Sequence, residues 1–308
     1  MSKICIFAGQ GAQTPGMGKD FADADAELMA LFDKANSVLG FDLKKLCFEG
    51  PAEELTKSNV CQPAIFVTSY AAYLALQKKC PTEFAAAAGL SLGEWSALCA
   101  AGVLDFDATL KVLEARGRFM QEACQAVPSG MIAIVGATPE QLKELCDKTG
   151  CTVANVNSAA QQVLSGSKDE IAAAATVAKD LGIKRAIPLA TAGAFHSKYM
   201  QPAREKLAPV LDGITFASPK FPVLSNVTGK PHASDPGAIK ALMLEQVTGA
   251  TNWAADVDAA KSLGIDCFVE FGPGKVLSGL VKKIDASLAT FNVSDLPSLD
   301  ATSAALAG

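Results

Sequence analysis

Apolar positions along the chain fall into two kinds of run that alternate. Lys3-Ile4-Cys5-Ile6-Phe7-Ala8 is short, nearly continuous and closed by Gly9, as expected for a strand covered on both faces. A longer run follows Gln62-Pro63 and reaches about Lys79; it predicts a helix with proline in its first turn. Phe84 to Gly89 reads as a strand, although its four alanines have low strand propensity. Further strands are expected at Pro222 to Ser225 and at Cys267 to Phe271. Helices are expected from about Ser197 to Leu211, near 236 to 248, near 252 to 262 and from Lys275 onward. Strands alternating with helices imply an α/β fold built on a mostly parallel sheet. The stretch beyond Asn292, rich in Ala and Ser, reads as peripheral.

The pattern changes between Gly130 and Leu189. Strands are predicted at Met131 to Val135, Thr152 to Val156, Gln162 to Leu164 and Lys184 to Leu189. Two helices open on the capping boxes Thr138-Pro139-Glu140-Gln141 and Ser167-Lys168-Asp169-Glu170. The order β-α-β-β-α-β is ferredoxin-like. Pro128-Ser129-Gly130 and Pro188 to Gly193 flank it as hinges, so residues 128–190 are expected to form a subdomain inserted into a core of 1–127 and 191–308.

Composition narrows the function. With 308 residues, half of them hydrophobic and 19% charged, the chain is long enough for a large core and unlike a disordered one. Lys and Arg number 27 against 32 Asp and Glu, and no basic run tracks a phosphate backbone, which argues against nucleic acid. The N-terminal apolar stretch is too short for a signal peptide, and no run approaches the roughly 18 apolar residues of a membrane span. A cytoplasmic setting without membrane contact is therefore expected. Nine cysteines, odd in number and without a C-x-x-C pair, indicate neither a disulfide framework nor a zinc site. Gly9-Gln10-Gly11-Ala12-Gln13-Thr14 lacks the third glycine of a dinucleotide loop, and Gly272-Pro273-Gly274-Lys275 lacks the first glycine and the Ser/Thr of a phosphate loop.

Candidate chemistry centres on Gly89-Leu90-Ser91-Leu92-Gly93, a G-x-S-x-G between a predicted strand and a predicted helix. Such a turn lifts a serine hydroxyl above the sheet edge and aims a helix N-terminus at the same space. The hydroxyl needs a base, and the chain has only two histidines. His196 sits where the insert returns to the core, whereas His232, in Gly229-Lys230-Pro231-His232-Ala233, reads as a surface residue, so His196 is favoured. Arg116 interrupts an apolar helical stripe of Val112, Leu113 and Met120. A buried arginine is costly unless paired; either a core carboxylate or the carboxylate of a substrate would pair it.

Several segments together resemble the malonyl-coenzyme A:acyl carrier protein transacylases of fatty acid synthesis, over nearly the whole chain. They are Phe7 to Gln13, Gly89 to Glu94, Arg116 to Glu122, Gly193 to Ser197, Pro222 to Gly229 and Glu270 to Leu277. The resemblance implies a hydrolase-like α/β core with a ferredoxin-like insert, and ping-pong transfer of a malonyl group from coenzyme A to the thiol of an acyl carrier protein. No metal or redox cofactor is implied. It makes Ser91 the nucleophile, His196 its base, the backbone N–H groups of Gln10 and Leu92 the oxyanion hole and Arg116 the holder of the malonyl carboxylate. A backbone carbonyl steadies the base in this family; Asn252 is the expected donor of that carbonyl. Many members carry histidine where this chain has Leu90, a difference expected to tune acyl selectivity. Phe195 is similar to the residue of malonyl- or acetyl-selective members. The carrier is acidic in the family, so Lys184 and Arg185 are the expected docking patch. A serine hydrolase or thioesterase, with water as acceptor, and a non-catalytic carrier-binding scaffold are the rival readings.

Overall fold

A computed structural model describes residues 1–307. Its strands in chain order are β1 (Lys3–Phe7), β2 (Ala86–Gly89), β3 (Ser129–Val135), β4 (Thr152–Ser158), β5 (Gln161–Ser167), β6 (Arg185–Leu189), β7 (Leu224–Ser225), β8 (Lys230–Pro231), β9 (Cys267–Phe271) and β10 (Ala289–Val293). The main sheet is parallel throughout, in the order β10-β9-β1-β2. Val223 extends it with a parallel bridge to Ala87. The period-2 alternation of β1 divides its side chains between two cores. Cys5 and Phe7 pack with Val269, Phe271, Ile65 and Phe66 on one face. Ile4 and Ile6 pack with Phe268, Trp253 and Val281 on the other. Helices therefore cover both faces, as an all-parallel sheet requires.

The four strands end in register, Phe7 opposite both Gly89 and Phe271, and Phe271 opposite Val293. The loops that leave β1 and β2 consequently emerge side by side at the carboxyl edge of the sheet, where ligands bind in open α/β sheets. The alanine-rich β2 is a strand against its local propensity because it pairs in register with β1 and is buried throughout, and the turn that leaves it is tightly packed. A Cβ on Gly89 would stand 2.1 Å from the Gly93 carbonyl carbon, and one on Gly93 would stand 2.2 Å from the Phe7 carbonyl oxygen.

The four strands of the second sheet are antiparallel, in the order β4-β5-β3-β6, and all lie between residues 129 and 189, while Thr251 adds a parallel bridge to Asn155 of β4. Both capping boxes form as the sequence predicts, opening the helices Pro139–Thr149 and Lys168–Asp180. Ile132, Ile134 and Leu164 pack under those helices with Leu145 and Ile171. Met131, Ala133 and Val163, on the opposite face, belong to the main core cluster.

Two expectations need correction. The apolar helix runs Ser58–Lys79, so Pro63 lies inside it rather than in its opening turn. This helix is buried nearly all round, and that burial outweighs the missing hydrogen bond at proline. The sequence reading also missed β10, which forms one edge of the main sheet, and the stretch beyond Asn292 packs back as the helix Leu296–Ala307 with Leu299, Thr302 and Ser303 buried rather than lying loose at the periphery. Thr302 Oγ1 donates to Asn292 O at 2.8 Å and ties that helix back to the strand.

The helices Ser58–Lys79 and Phe106–Ala126 cross at Gly117, where a Cβ would lie 2.2 Å from the Ser58 carbonyl oxygen. That approach brings Arg116 against Gln62. Gly117→Ala is therefore expected to lower stability by roughly 1–3 kcal/mol through overpacking, measured as a fall in the urea midpoint.

Candidate active site

Ser91 joins β2 to the helix Leu92–Ala100 with φ 56° and ψ −106°. Among the described residues, the only non-glycine positions with positive φ are Ser91 and His196, the latter also at 56°. Such backbone costs about 1–3 kcal/mol per residue and persists only where its surroundings enforce it. Asn226 Oδ1 accepts the Ser91 N–H at 2.7 Å, and Gln246 Nε2 donates to the Ser91 carbonyl at 2.9 Å. Around His196, Ser165 Oγ donates to Phe195 O at 2.5 Å and Ser197 Oγ to Ala194 O at 2.6 Å.

These two strained turns bring Ser91 Oγ and His196 Nε2 to 2.8 Å. On the far side of the ring, Nδ1 is 2.9 Å from the Gln246 carbonyl oxygen. A carbonyl only accepts, so Nδ1 carries the proton and the Nε2 lone pair is free to accept from the serine. Burial, and secondarily the Arg116 charge, push the His196 pKa down to about 4. The imidazole is thus neutral at pH 7 and able to take a proton.

Arg116 is 1% exposed. Its Nη2 donates to Ser91 Oγ at 3.1 Å and to Gln246 Oε1 at 3.1 Å, and its Nη1 donates to Gln62 Oε1 at 2.7 Å. No salt bridge to a described carboxylate forms, so the structural ion pair left open by the sequence is absent. Burial lowers the guanidinium to about 10, partly offset by the charge of Glu94, which still leaves it charged at pH 7.

Ser91, His196, Gln10, Leu90, Met120 and Phe195 line a cleft of about 260 Å³, closed on its other side by residues of the second sheet such as Asn155 and Val163. The backbone N–H groups of Gln10 and Leu92 donate to no protein acceptor among the described residues. That of Leu92 opens a helix, where an N–H is normally unpaired and the dipole favours negative charge. No described group of three His, Cys, Asp or Glu is arranged to hold a metal ion.

A family described as "Acyl transferase domain" matches residues 4–283. A Bacillus subtilis malonyl CoA-acyl carrier protein transacylase is 41% identical over 302 residues, covering 96% of this chain and 94% of the relative. The chain belongs to the malonyl CoA-acyl carrier protein transacylase family. The crystal structure of the transacylase from Clostridium perfringens superposes with a TM-score of 0.94 at 38% identity, over 100% of this chain and 98% of that one. A malonyl-transacylase solved in complex with a type II polyketide acyl-carrier protein gives 0.94 at 37% identity, over 99% and 100%. Members of this family are acyltransferases, and so is this chain.

Within this transacylase scaffold two expectations fail. Asn252 does not steady the imidazole: its side-chain amide donates to Asn226 O and Val227 O, and its carbonyl accepts from Asp256 N. Gln246, just past the helix Pro236–Glu245, supplies the carbonyl instead. His232 is not a surface residue. Its side chain is buried, with Nε2 2.6 Å from Glu94 Oε1, because the turn after β8 folds under the serine helix rather than into solvent. Gln62, Asn226 and Gln246 escaped sequence reading because amides recur everywhere and only convergence distinguishes these three. Lys184 and Arg185 are exposed and free of salt bridges among the described residues. They stand at the opposite end of β6 from Leu189, which lines the cleft.

The lowered pKa of His196 fixes a pH profile. Only the neutral ring accepts the serine proton, so labelling of Ser91 by a neutral fluorophosphonate should hold level from pH 8 to about 5 and fall as pH approaches 4. An inflection near the ordinary histidine value of about 6.5 would contradict a burial-controlled base.

Proposed function

We propose that the chain moves a malonyl group from coenzyme A to the phosphopantetheine thiol of an acyl carrier protein through a malonyl ester on Ser91. The observation that carries this reading is that one oxygen, Ser91 Oγ, lies 2.8 Å from His196 Nε2 and 3.1 Å from Arg116 Nη2. In the first half-reaction Oγ attacks the thioester carbonyl while Nε2 takes its proton. The C–S bond then breaks, and the proton passes to the departing coenzyme A sulfur. In the second half the carrier thiol gives its proton to Nε2 and attacks the ester, and Oγ recovers a proton as it leaves. One thiol replaces another without oxidation or reduction, so the steps balance without a cofactor.

The unpaired N–H groups of Gln10 and Leu92 suit the oxyanion that forms in each half. Arg116, charged and without a carboxylate partner, suits the malonyl carboxylate. Leu90 and Phe195 line the cleft and would set acyl size and polarity. For the carrier, support comes from the related transacylase solved with an acyl-carrier protein. On this chain the exposed Lys184 and Arg185 would meet its acidic surface. The architecture is read as a hydrolase-like core of 1–127 and 191–308 with a ferredoxin-like subdomain at 128–190, supported by a second sheet whose four strands all lie within 129–189. A hydrolase using water is disfavoured because neutral esters give a buried guanidinium nothing to bind.

Intact-mass spectrometry after mixing with malonyl-coenzyme A should find a malonyl adduct that Ser91→Ala abolishes and that holo carrier protein discharges faster than water does. Discharge by water alone at the same rate would point to a hydrolase, and no adduct to a scaffold. Arg116→Ala should cut malonyl transfer by about 30-fold or more, consistent with roughly 2–5 kcal/mol for a truncated buried charge pair, while acetyl transfer falls less. Equal losses would make Arg116 structural.

A further inference from the structure

Beneath the serine turn lies a polar chain that the reaction as proposed does not use. His232 Nε2 meets Glu94 Oε1 at 2.6 Å, and both side chains are fully buried. Since a carboxylate only accepts, the shared proton belongs to the imidazole. The second oxygen, Glu94 Oε2, accepts from Gln246 Nε2 at 2.6 Å and from the Asn226 backbone N–H at 3.2 Å. Gln246 and Asn226 are the two residues whose side chains hold the peptide groups of Ser91, one at its carbonyl and the other at its N–H. Gln246 also touches the remaining reactive groups, through Oε1 to Arg116 and through its carbonyl to His196. Asn226 is held in addition by Gly89 O and Asp256 Oδ2, each 2.8 Å from its Nδ2.

Stability alone does not call for this arrangement. Replacing a buried charged or polar pair with apolar side chains of similar volume is often neutral or stabilising. Meanwhile Ser91 sits in backbone that costs free energy unless its neighbours hold it. Among the described residues, Glu94 is the one side chain that hydrogen-bonds to both residues that do so.

We propose that His232 is a positioning residue for acyl transfer: by orienting Glu94 it fixes Gln246 and Asn226, which pin the strained Ser91 peptide and align Arg116 and His196 around its hydroxyl. His232 touches no substrate and acts only through this chain. The proposal rests on the transferase reading above, and its test separates the two.

Three variants are compared with wild type. A glutamine at 232 places its amide nitrogen where Nε2 stands and preserves the donor to Glu94. An asparagine, one methylene shorter, does not reach. The pair Glu94→Leu/His232→Phe removes both partners together and leaves no buried carboxylate short of a donor. His232→Gln should keep kcat within a few-fold of wild type. His232→Asn and the folded pair variant should lose roughly 10- to 100-fold in kcat, the scale of a slightly misplaced reacting group. The KM for malonyl-coenzyme A should change little, and fluorophosphonate labelling of Ser91 should slow in parallel with kcat. Rates are referred to the folded fraction by circular dichroism, and the asparagine and glutamine pair carries the test if the apolar pair does not fold. Equal activity in the glutamine and asparagine variants, or full kcat in a folded apolar pair, would overturn the proposal. Failure of wild type to form any malonyl adduct would instead sink the transferase reading and leave the labelling comparison to judge His232.

Discussion

A buried guanidinium without a carboxylate partner sets the terms for everything around it. Arg116 is held by the oxygens of two amides and one hydroxyl, none of which neutralises its charge. Isolating a cation from water in this way is expensive. The same charge helps to keep His196 neutral, so the guanidinium and the readiness of the base are electrostatically joined.

The backbone meets this constraint through close approaches that only glycine permits. Gly89 and Gly93 let the serine helix sit on the edge of β1 and β2, and Gly117 lets the Arg116 helix lie against the one that carries Gln62. Each contact fixes one group; none alone makes a site. Convergence comes from the shared carboxyl edge of the parallel strands and from the return of the chain out of the second sheet, which delivers His196 in the same unusual backbone region as Ser91.

The cleft lies between two bodies of different character. One is a parallel sheet buried on both faces; the other is a small antiparallel sheet that roofs the serine with Asn155 and Val163. The cleft is lined by residues from both, and the end of β6 away from it leaves Lys184 and Arg185 exposed.

By itself the sequence determined the local chemistry: the strand, turn and helix around Ser91, the two capping boxes, the β-α-β-β-α-β block and an arginine on an apolar stripe. These are legible because glycine geometry, capping and hydrophobic period act over a few neighbouring residues. Even where propensity pointed elsewhere, as in the alanines of β2, the flanking turn marked the strand. Tertiary structure alone decided which carbonyl meets His196, whether His232 is exposed, how the C-terminal strand completes the sheet and what surrounds Arg116. Any residue can offer a carbonyl, and a histidine in a polar turn looks the same whether the turn faces water or folds beneath a helix. Those outcomes depend on contacts between segments distant along the chain, from His196 with Gln246, 50 residues apart, to Glu94 with His232 and Ser91 with Gln246, more than a hundred apart, and no local pattern records them.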